Sequence, residues 1–518
     1  MKLRVLFAAS LATTVLLLSN SAISSPAKQR AADKNTCNGD PNVDNFPVKA
    51  TLTSTADIKF SIEYFKTYKV VHNEFSSETY GLYCGENQPT VSETPGGKRI
   101  IQWFKLPLDV VAIEDNTAIA FMEALQLLDK VKYVAEPSSV TSACWMKSPN
   151  ANNPAIANLT LEQSGSIDVG FVDRSSISTK KAAFWSQEKY LLTPLQRFEW
   201  IKYIAAFFNA EGTANDIYEK VAGQYICHKT NMAGVVENGK QVAWVAHQLT
   251  PAQYRVLDDK YTVELMTDAG MKVLKPPAPK TVLADANAVK PIINSADIII
   301  DSSEYQSGIG SFGRWQELFG YTDNESKSSV KFMHNEQVWR PDLRVNSNHT
   351  SDWFQSAGVR PDLALLDLIT LQYPNYNTKY TKRWMENFSK GDRPNTIDKN
   401  NCQNPPELSN FKEEYACITG AFHPLDDPNG PKPPPKADVN GNNNNSSDQQ
   451  GSSKNTLVWT IVGVVIAGVI VFGVVMFIRR RNIKRRQTII NMITIRANMS
   501  SPTNDQDQFT DDHVRRPV

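Results

Sequence analysis

The run Leu457–Ile478, LVWTIVGVVIAGVIVFGVVMFI, holds 22 residues without a charge, and it divides the rest of the chain. At about 1.5 Å per residue a helix of this length reaches ~33 Å, enough for a hydrocarbon core of about 30 Å. The cluster RRRNIKRR (Arg479–Arg486) follows directly, and such clusters stay on the cytosolic side. A cleavable lipid-anchor signal would end in its hydrophobic tail, whereas 40 residues continue here. The residues therefore predict one transmembrane helix over 456–478 and a basic cytoplasmic tail over 479–518, with the N-terminal part outside the cell.

The N-terminus agrees with that topology. Lys2 and Arg4 precede the apolar run Val5–Leu18, and Ser21, Ala22 and Ser24 follow, which is the pattern of a secretory signal peptide over 1–24. Between signal and tail, 44 basic residues face 50 acidic ones, while the tail has nine against four. A mildly acidic ectodomain excludes nucleic acid as the expected partner. All six cysteines lie in the ectodomain, at 37, 84, 144, 227, 402 and 417. In an oxidising compartment they predict up to three disulfides, among 15 connectivities. Cys402 and Cys417 enclose a short loop near the domain end and are expected to pair. Acceptor triplets at Asn158, Asn324, Asn348, Asn387, Asn444 and Asn445 are expected to be glycosylated.

Residues 424–455 are rich in Pro, Asn and Ser and almost free of large apolar side chains, so they predict a disordered stalk. The remaining ectodomain exceeds what one core supports, and two lobes are expected. KFSIEYFKTYKVVHN and ETYGLYC read as an opening hairpin. DVVAIED, KVKYVAE and IDVGFVD read as buried strands around the helical pattern NTAIAFMEALQLL. Thr193 caps Pro194, and PLQRFEWIKYIAAFFNAEGTANDIYEKVAGQY predicts a single helix to about Tyr225, broken or bent at Gly212. Its apolar face is too wide for a surface helix, so it must be clasped on more than one side. KQVAWVAHQ, YTVELMTDAGMKVL, SADIIIDSS and VRPDLALLDLITLQYP then repeat the strand–helix pattern. The expected fold is α/β: two Rossmann-like lobes, 25–192 and 226–423, joined by one long α-helix over 193–225, plus the single transmembrane helix.

In order, these segments resemble class III periplasmic solute-binding proteins, the ferric-siderophore and cobalamin binders of bacterial uptake systems. The likeness covers roughly residues 58–376. The signal–domain–stalk–membrane layout is similar to the ferrioxamine receptors of mucoralean fungi. The resemblance implies a cell-surface receptor that takes a siderophore or similar metal chelate into an interlobe cleft. Iron then enters as part of the ligand, with no resident cofactor. A reductase, a permease or the endocytic machinery is the expected partner, because one membrane helix is no pore. The chain departs from the bacterial pattern in its membrane span, in lacking a lipobox cysteine and in an insertion near Pro276–Val282.

GIGSFG (Gly308–Gly313) matches a dinucleotide-binding spacing, but SSEYQS separates it from the strand that ends at Asp301. No strand follows to carry a ribose-binding acid, so the loop reads as part of a cleft wall. No nucleophile elbow, zinc-protease helix or phosphate-binding lysine motif occurs, which leaves a non-enzymatic binder. The alternative is an adhesion module or enzyme that reuses the fold. Ligands of open α/β sheets bind at the carboxyl ends of the strands. That rule selects Asp115, Trp145, Asp173 and Arg174 on the first lobe. On the second it selects His247, Gln248, Ser303, Glu304, Tyr305, Trp339 and Arg340. Trp145 and Tyr305 are expected on opposite rims of a cleft whose lobes move little.

Overall fold

The computed structural model describes residues 37–153, 155, 163–173, 181–185, 191–235, 239–249, 252–277, 282–303 and 310–418. All belong to one compact unit reaching to Pro433. The predicted signal peptide, stalk, membrane span and tail lie outside the described residues. Among those described, no helix is long and apolar enough to cross a membrane.

Two sheets build the first lobe. β1 (Phe60–Tyr64), β2 (Tyr68–Asn73) and β3 (Glu78–Tyr83) form an antiparallel meander, and β4 (Gln102–Lys105) joins β3 in parallel. β5 (Val111–Ile113), β6 (Val131–Val134), β7 (Val169–Val172) and β8 (Ala182–Phe184) form a parallel sheet in the order β6-β5-β7-β8. Short apolar strands of this kind are stable in parallel because both faces are covered. α1 (Thr117–Ala124) follows β5, and α2 (Ala143–Lys147) follows β6.

The helix expected over 194–225 is three helices, α3 (Pro194–Phe198), α4 (Ile201–Ala206) and α5 (Glu211–Met232). Thr193 and Gln196 form a capping box at the start of α3, which is the local signal the sequence carries. Residues of α3 and α4 are clasped as their composition requires. Phe207, just after α4, meets Phe104 of one sheet at 5.7 Å and Phe171 of the other at 5.3 Å. Asn209, at φ 52°, makes the break, not Gly212, which sits within the first turn of α5. Its amide oxygen accepts from the buried Lys69 ammonium at 2.7 Å, and Glu211 takes the same ammonium at 2.5 Å. An ion pair removed from water in this way is strong only because both partners are fully engaged.

α5 passes from one core to the next. Ala214, Ile217 and Val221 pack in the first, and Tyr225 and Met232 in the second. The second lobe follows with β9 (Gln241–Leu249), β10 (Ala252–Val256), α6 (Lys260–Asp268), β11 (Lys272–Val273), β12 (Val282–Leu283), α7 (Ala286–Ile293) and β13 (Ile298–Asp301). Then come α8 (Phe312–Leu318), α9 (Asn324–Ser329), α10 (Lys331–His334), β14 (Val338–Arg340), β15 (Arg344–Asn346), α11 (Trp353–Ser356) and α12 (Pro361–Gln372). The sheet runs β12-β10-β9-β13-β14-β16, where β16 is Glu386–Asn387, and β11 pairs with β9. Its centre is parallel, and β10, β12 and β16 are antiparallel additions.

After α12 the chain forms a strap. Asp367 of α12 accepts from the Tyr380 hydroxyl at 2.6 Å and from the backbone N–H groups of Arg383, Trp384 and Met385 at 2.8, 2.7 and 3.1 Å. β17 (Asn395–Ile397) pairs with β15, Leu408 enters the first core and Tyr415 the second. Cys402 is bonded to Cys144 of α2, Cys417 to Cys227 of α5, and Cys37 to Cys84. The expected Cys402–Cys417 pairing is therefore wrong. The 14 residues between these cysteines travel from the first lobe to α5, so nearness in sequence is not nearness in space.

Candidate functional site

At the first lobe's strand ends, Asp115 follows β5 and Asp173 follows β7. The Asp115 carboxylate accepts from the Thr117 N–H at 2.9 Å, holding the start of α1. Burial pushes its pKa up; the Thr117 hydrogen bond and the charge of Arg197 oppose this, and Asp173 adds to it. Asp173 is exposed. Arg197, on α3, lies with its guanidinium carbon 5.0 Å from the ring centre of Tyr261, a residue of the second core on α6. Burial first, with Asp259 adding, raises the Tyr261 hydroxyl to about 12 against the pull of Arg197. That hydroxyl is buried without a hydrogen-bond partner among the described residues. Beside it, Lys260 donates to the Gln196 side chain at 3.0 Å, joining α6 to α3. An open groove of about 550 Å³ adjoins this contact, lined by Asp258, Asp259, Lys260, Glu264 and Lys275 among others. Ligand pockets generally span about 300–1,000 Å³. The groove is lined by second-lobe residues; beside it Arg197 of α3 covers the buried Tyr261 ring and acts by charge on Asp115 of the first lobe, which also feels Asp173.

The second lobe's strand ends are closed. Arg340 ends β14 and donates through Nε to Asp342 at 2.7 Å, through Nη2 to the Ser303 carbonyl at 3.0 Å, and through Nη1 to Asp301. Ser303 in turn donates its hydroxyl to Asp301 at 2.5 Å. All four residues are buried, so Ser303 and Arg340 serve a structural charge cluster and do not face a ligand. Trp339 is buried too; its indole N–H binds Gln337 at 3.1 Å, and β16 covers its strand. His247 and Gln248 lie near the end of β9, but beyond its parallel pairing with β13, which stops at Val245. β9 continues into an antiparallel hairpin with β10, and the His247 ring lies 4.5 Å from that of its partner Tyr254. Trp145 is a core residue, 2% exposed, and so no rim contact. Arg174, Glu304, Tyr305 and Gly308 lie outside the described residues. Ser311 caps α8, a helix of seven residues reached ten positions after β13.

Glu386 completes the buried cluster. Burial first, then the neighbouring charge of Asp342, raises its carboxyl from the usual 4.5 to about 9, with Arg340 opposing and Asp392 adding. Between those values the native chain holds a proton that the unfolded chain has lost, so stability falls as pH rises from about 4.5 towards 9. Glu386→Gln should flatten that decline. Denaturation midpoints measured from pH 5 to 9 check this, and equal slopes in both proteins refute it.

Two of the expected glycosylation sites, Asn324 and Asn348, are exposed, although the Asn348 amide donates to the Ser138 carbonyl at 2.7 Å. Asn387 is not: its side chain is 3% exposed and its amide donates to the Glu336 carbonyl at 3.0 Å. Asn158, Asn444 and Asn445 lie outside the described residues.

A seam at the first lobe's strand ends, where Asn116 after β5 donates to the Ser139 hydroxyl at 2.7 Å, ties the lobes together. Thr141 donates its hydroxyl to Asp352 at 2.8 Å, Gln355 donates to the Ser139 carbonyl at 2.6 Å, and Asn346 donates to the Val140 carbonyl at 3.0 Å. Asp352 also accepts from Ser356 and Trp384. Charges on Arg383 and Arg344 hold its carboxyl below the usual range despite burial. The cavity left here is about 20 Å³, too small for anything beyond water. Sequence reasoning missed Arg197, Tyr261 and this seam. The available signal for Arg197 was a cation in the first turn of an otherwise apolar helical run.

No family model matches the chain, and no curated protein matches it. Solved structures do resemble it. Helicobacter pylori CeuE, solved with Ni(II) bound, aligns over 57% of this chain and 92% of its own at 15% identity and a TM-score of 0.38. The Vibrio cholerae periplasmic heme-binding protein HutB aligns over 51% and 100% at 14% identity and 0.39. A periplasmic binding protein from Veillonella parvula aligns over 54% and 88% at 13% identity and 0.38.

Proposed function

We propose that the chain is a membrane-anchored receptor whose two-lobed part binds a metal chelate of the ferric-siderophore class, ferrioxamine-type, between the lobes. The observation that carries this reading is Arg197, which covers Tyr261 of the second lobe and acts by charge on Asp115 of the first. A hydroxamate chelate presents outward-facing oxygens and a large apolar body. A guanidinium is suited to the oxygens, and Tyr261, buried in the second core against Arg197, serves to hold that guanidinium in place. The exposed Asp173 carboxylate suits an ammonium group on the ligand. In this reading the ligand brings its own donor atoms to the iron.

The apolar runs Val5–Leu18 and Leu457–Ile478 support secretion and anchoring in a cell membrane. A single span conducts nothing, and uptake in this reading needs internalisation, a reductase or a permease.

Titrating the purified full-length chain calorimetrically with ferric hydroxamates, ferric catecholates, heme and cobalamin tests the proposal. Saturable binding of a ferric hydroxamate is expected, and no binding of any of them at millimolar concentration overturns it. Arg197→Ala should weaken that binding by about 10- to 100-fold, the range for loss of a central interface arginine. Its melting temperature should be unchanged. Equal affinity in the variant removes Arg197 from the site.

A further inference from the structure

The outer face of the β1–β4 sheet is not used by the proposed receptor site. Cross-strand pairing places Glu63, Val70, Gly81 and Trp103 in one row across it, and Tyr68, Tyr83 and Lys105 in the next. Trp103 lies flat over Gly81. A Cβ built on that glycine would fall 2.1 Å from Cε3 and 2.3 Å from Cζ3 of the indole, so any larger residue displaces the ring. Tyr68 and Tyr83 meet the indole edge-on, at centroid distances of 5.6 and 6.1 Å and interplanar angles of 71° and 76°. Phe65 stacks on Tyr68 at 4.4 Å. All four rings are half-buried. The indole N–H and both phenols have no hydrogen-bond partner among the described residues.

Shielding of a strand glycine by a cross-strand aromatic accounts for Trp103 over Gly81. It does not account for two tyrosines, whose hydroxyls have no partner among the described residues, and a phenylalanine added beside it. From this flat indole ringed by unengaged donors we infer that the outer sheet face binds a neutral polysaccharide chain, one sugar ring stacked on Trp103. The axial C–H face of a pyranose is apolar and its rim is hydroxyl, which is the pattern these side chains present in reverse. Charge favours an uncharged chain over an anionic one. Lys105 is paired with Glu86 at 2.8 Å, burial and then the charge of Lys98 disfavour the charged form of His72, and Glu74 and Glu63 set negative charge against Lys98.

The test is retention of the purified full-length chain on insoluble chitin, cellulose, β-1,3-glucan and mannan. Retention on at least one, competed by the matching soluble oligosaccharide, is expected. Trp103→Ala should lose ten-fold or more in affinity, and Gly81→Val, which lifts the indole, about as much. Tyr83→Phe keeps the ring and should lose a few-fold, and it decides the matter if either other variant misfolds. Melting temperature and chelate titration should be unchanged in Tyr83→Phe. The inference is overturned if the native chain is retained on none of the four, or if the folded variants bind as tightly as native. It is equally overturned if sedimentation shows that the face instead joins two copies of the chain.

Discussion

Replacing Cys144 and Cys402 together by serine is expected to lower the unfolding free energy by roughly 2–4 kcal/mol, the usual contribution of a bridge closing a long loop. The bond joins residues 258 positions apart, and it fastens the strap after α12 to α2 of the first lobe. Without it, the seam at Thr141, Asn346, Asp352 and Gln355 is left to hold the lobes in register by hydrogen bonds, which contribute about 1 kcal/mol each. Amide exchange over residues 137–141 and 346–356 should therefore quicken more than exchange elsewhere. Small-angle scattering should show almost no compaction of the native chain on adding ligand. The double variant should be looser before ligand is added. A melting temperature equal to native, or a large drop in radius of gyration when the native chain binds, would show that the strap does not set the spacing of the lobes.

Arg340→Ala should be the most damaging single substitution at the strand ends, at about 3–5 kcal/mol. Removing one member of a buried ion cluster leaves the others charged and unpaired. Here the abandoned groups are Asp301, Asp342 and the Ser303 carbonyl, all buried. Arg340→Lys should recover little, because one ammonium cannot reach three acceptors in the plane of a guanidinium fork. Chemical denaturation measures the loss. The contrast with Arg197→Ala is diagnostic: Arg197 should matter for ligand and little for stability, Arg340 the reverse. If Arg340→Ala were as stable as native and failed to bind chelate, Arg340 would return to the ligand site.

What the sequence determined by itself was local. FSIEY and YKVVHN appear as β1 and β2, VAI and VGFV as buried parallel strands, and Thr193-Pro194 as the start of α3. PDLALLDLITLQ, apolar all round, is a helix buried on every side. Periodicity, caps and turn residues act over a few positions, so these features need no knowledge of the fold. The α/β class with two cores and a helix entering both follows from their order.

Tertiary structure alone decided which of these residues meet. The rule of strand ends selected Asp115 and Asp173 together with His247, Ser303 and Arg340. It cannot tell an open strand end from one filled by the buried Arg340 cluster or prolonged into the β9–β10 hairpin. Nothing near Cys402 in sequence points to Cys144, and nothing near Arg197 points to Tyr261, 64 positions on. The break at Asn209 likewise depends on Lys69 from β2 reaching its side chain and Glu211. Such contacts become favourable after the loops between them have closed and water has left, and both costs are settled by the whole chain at once.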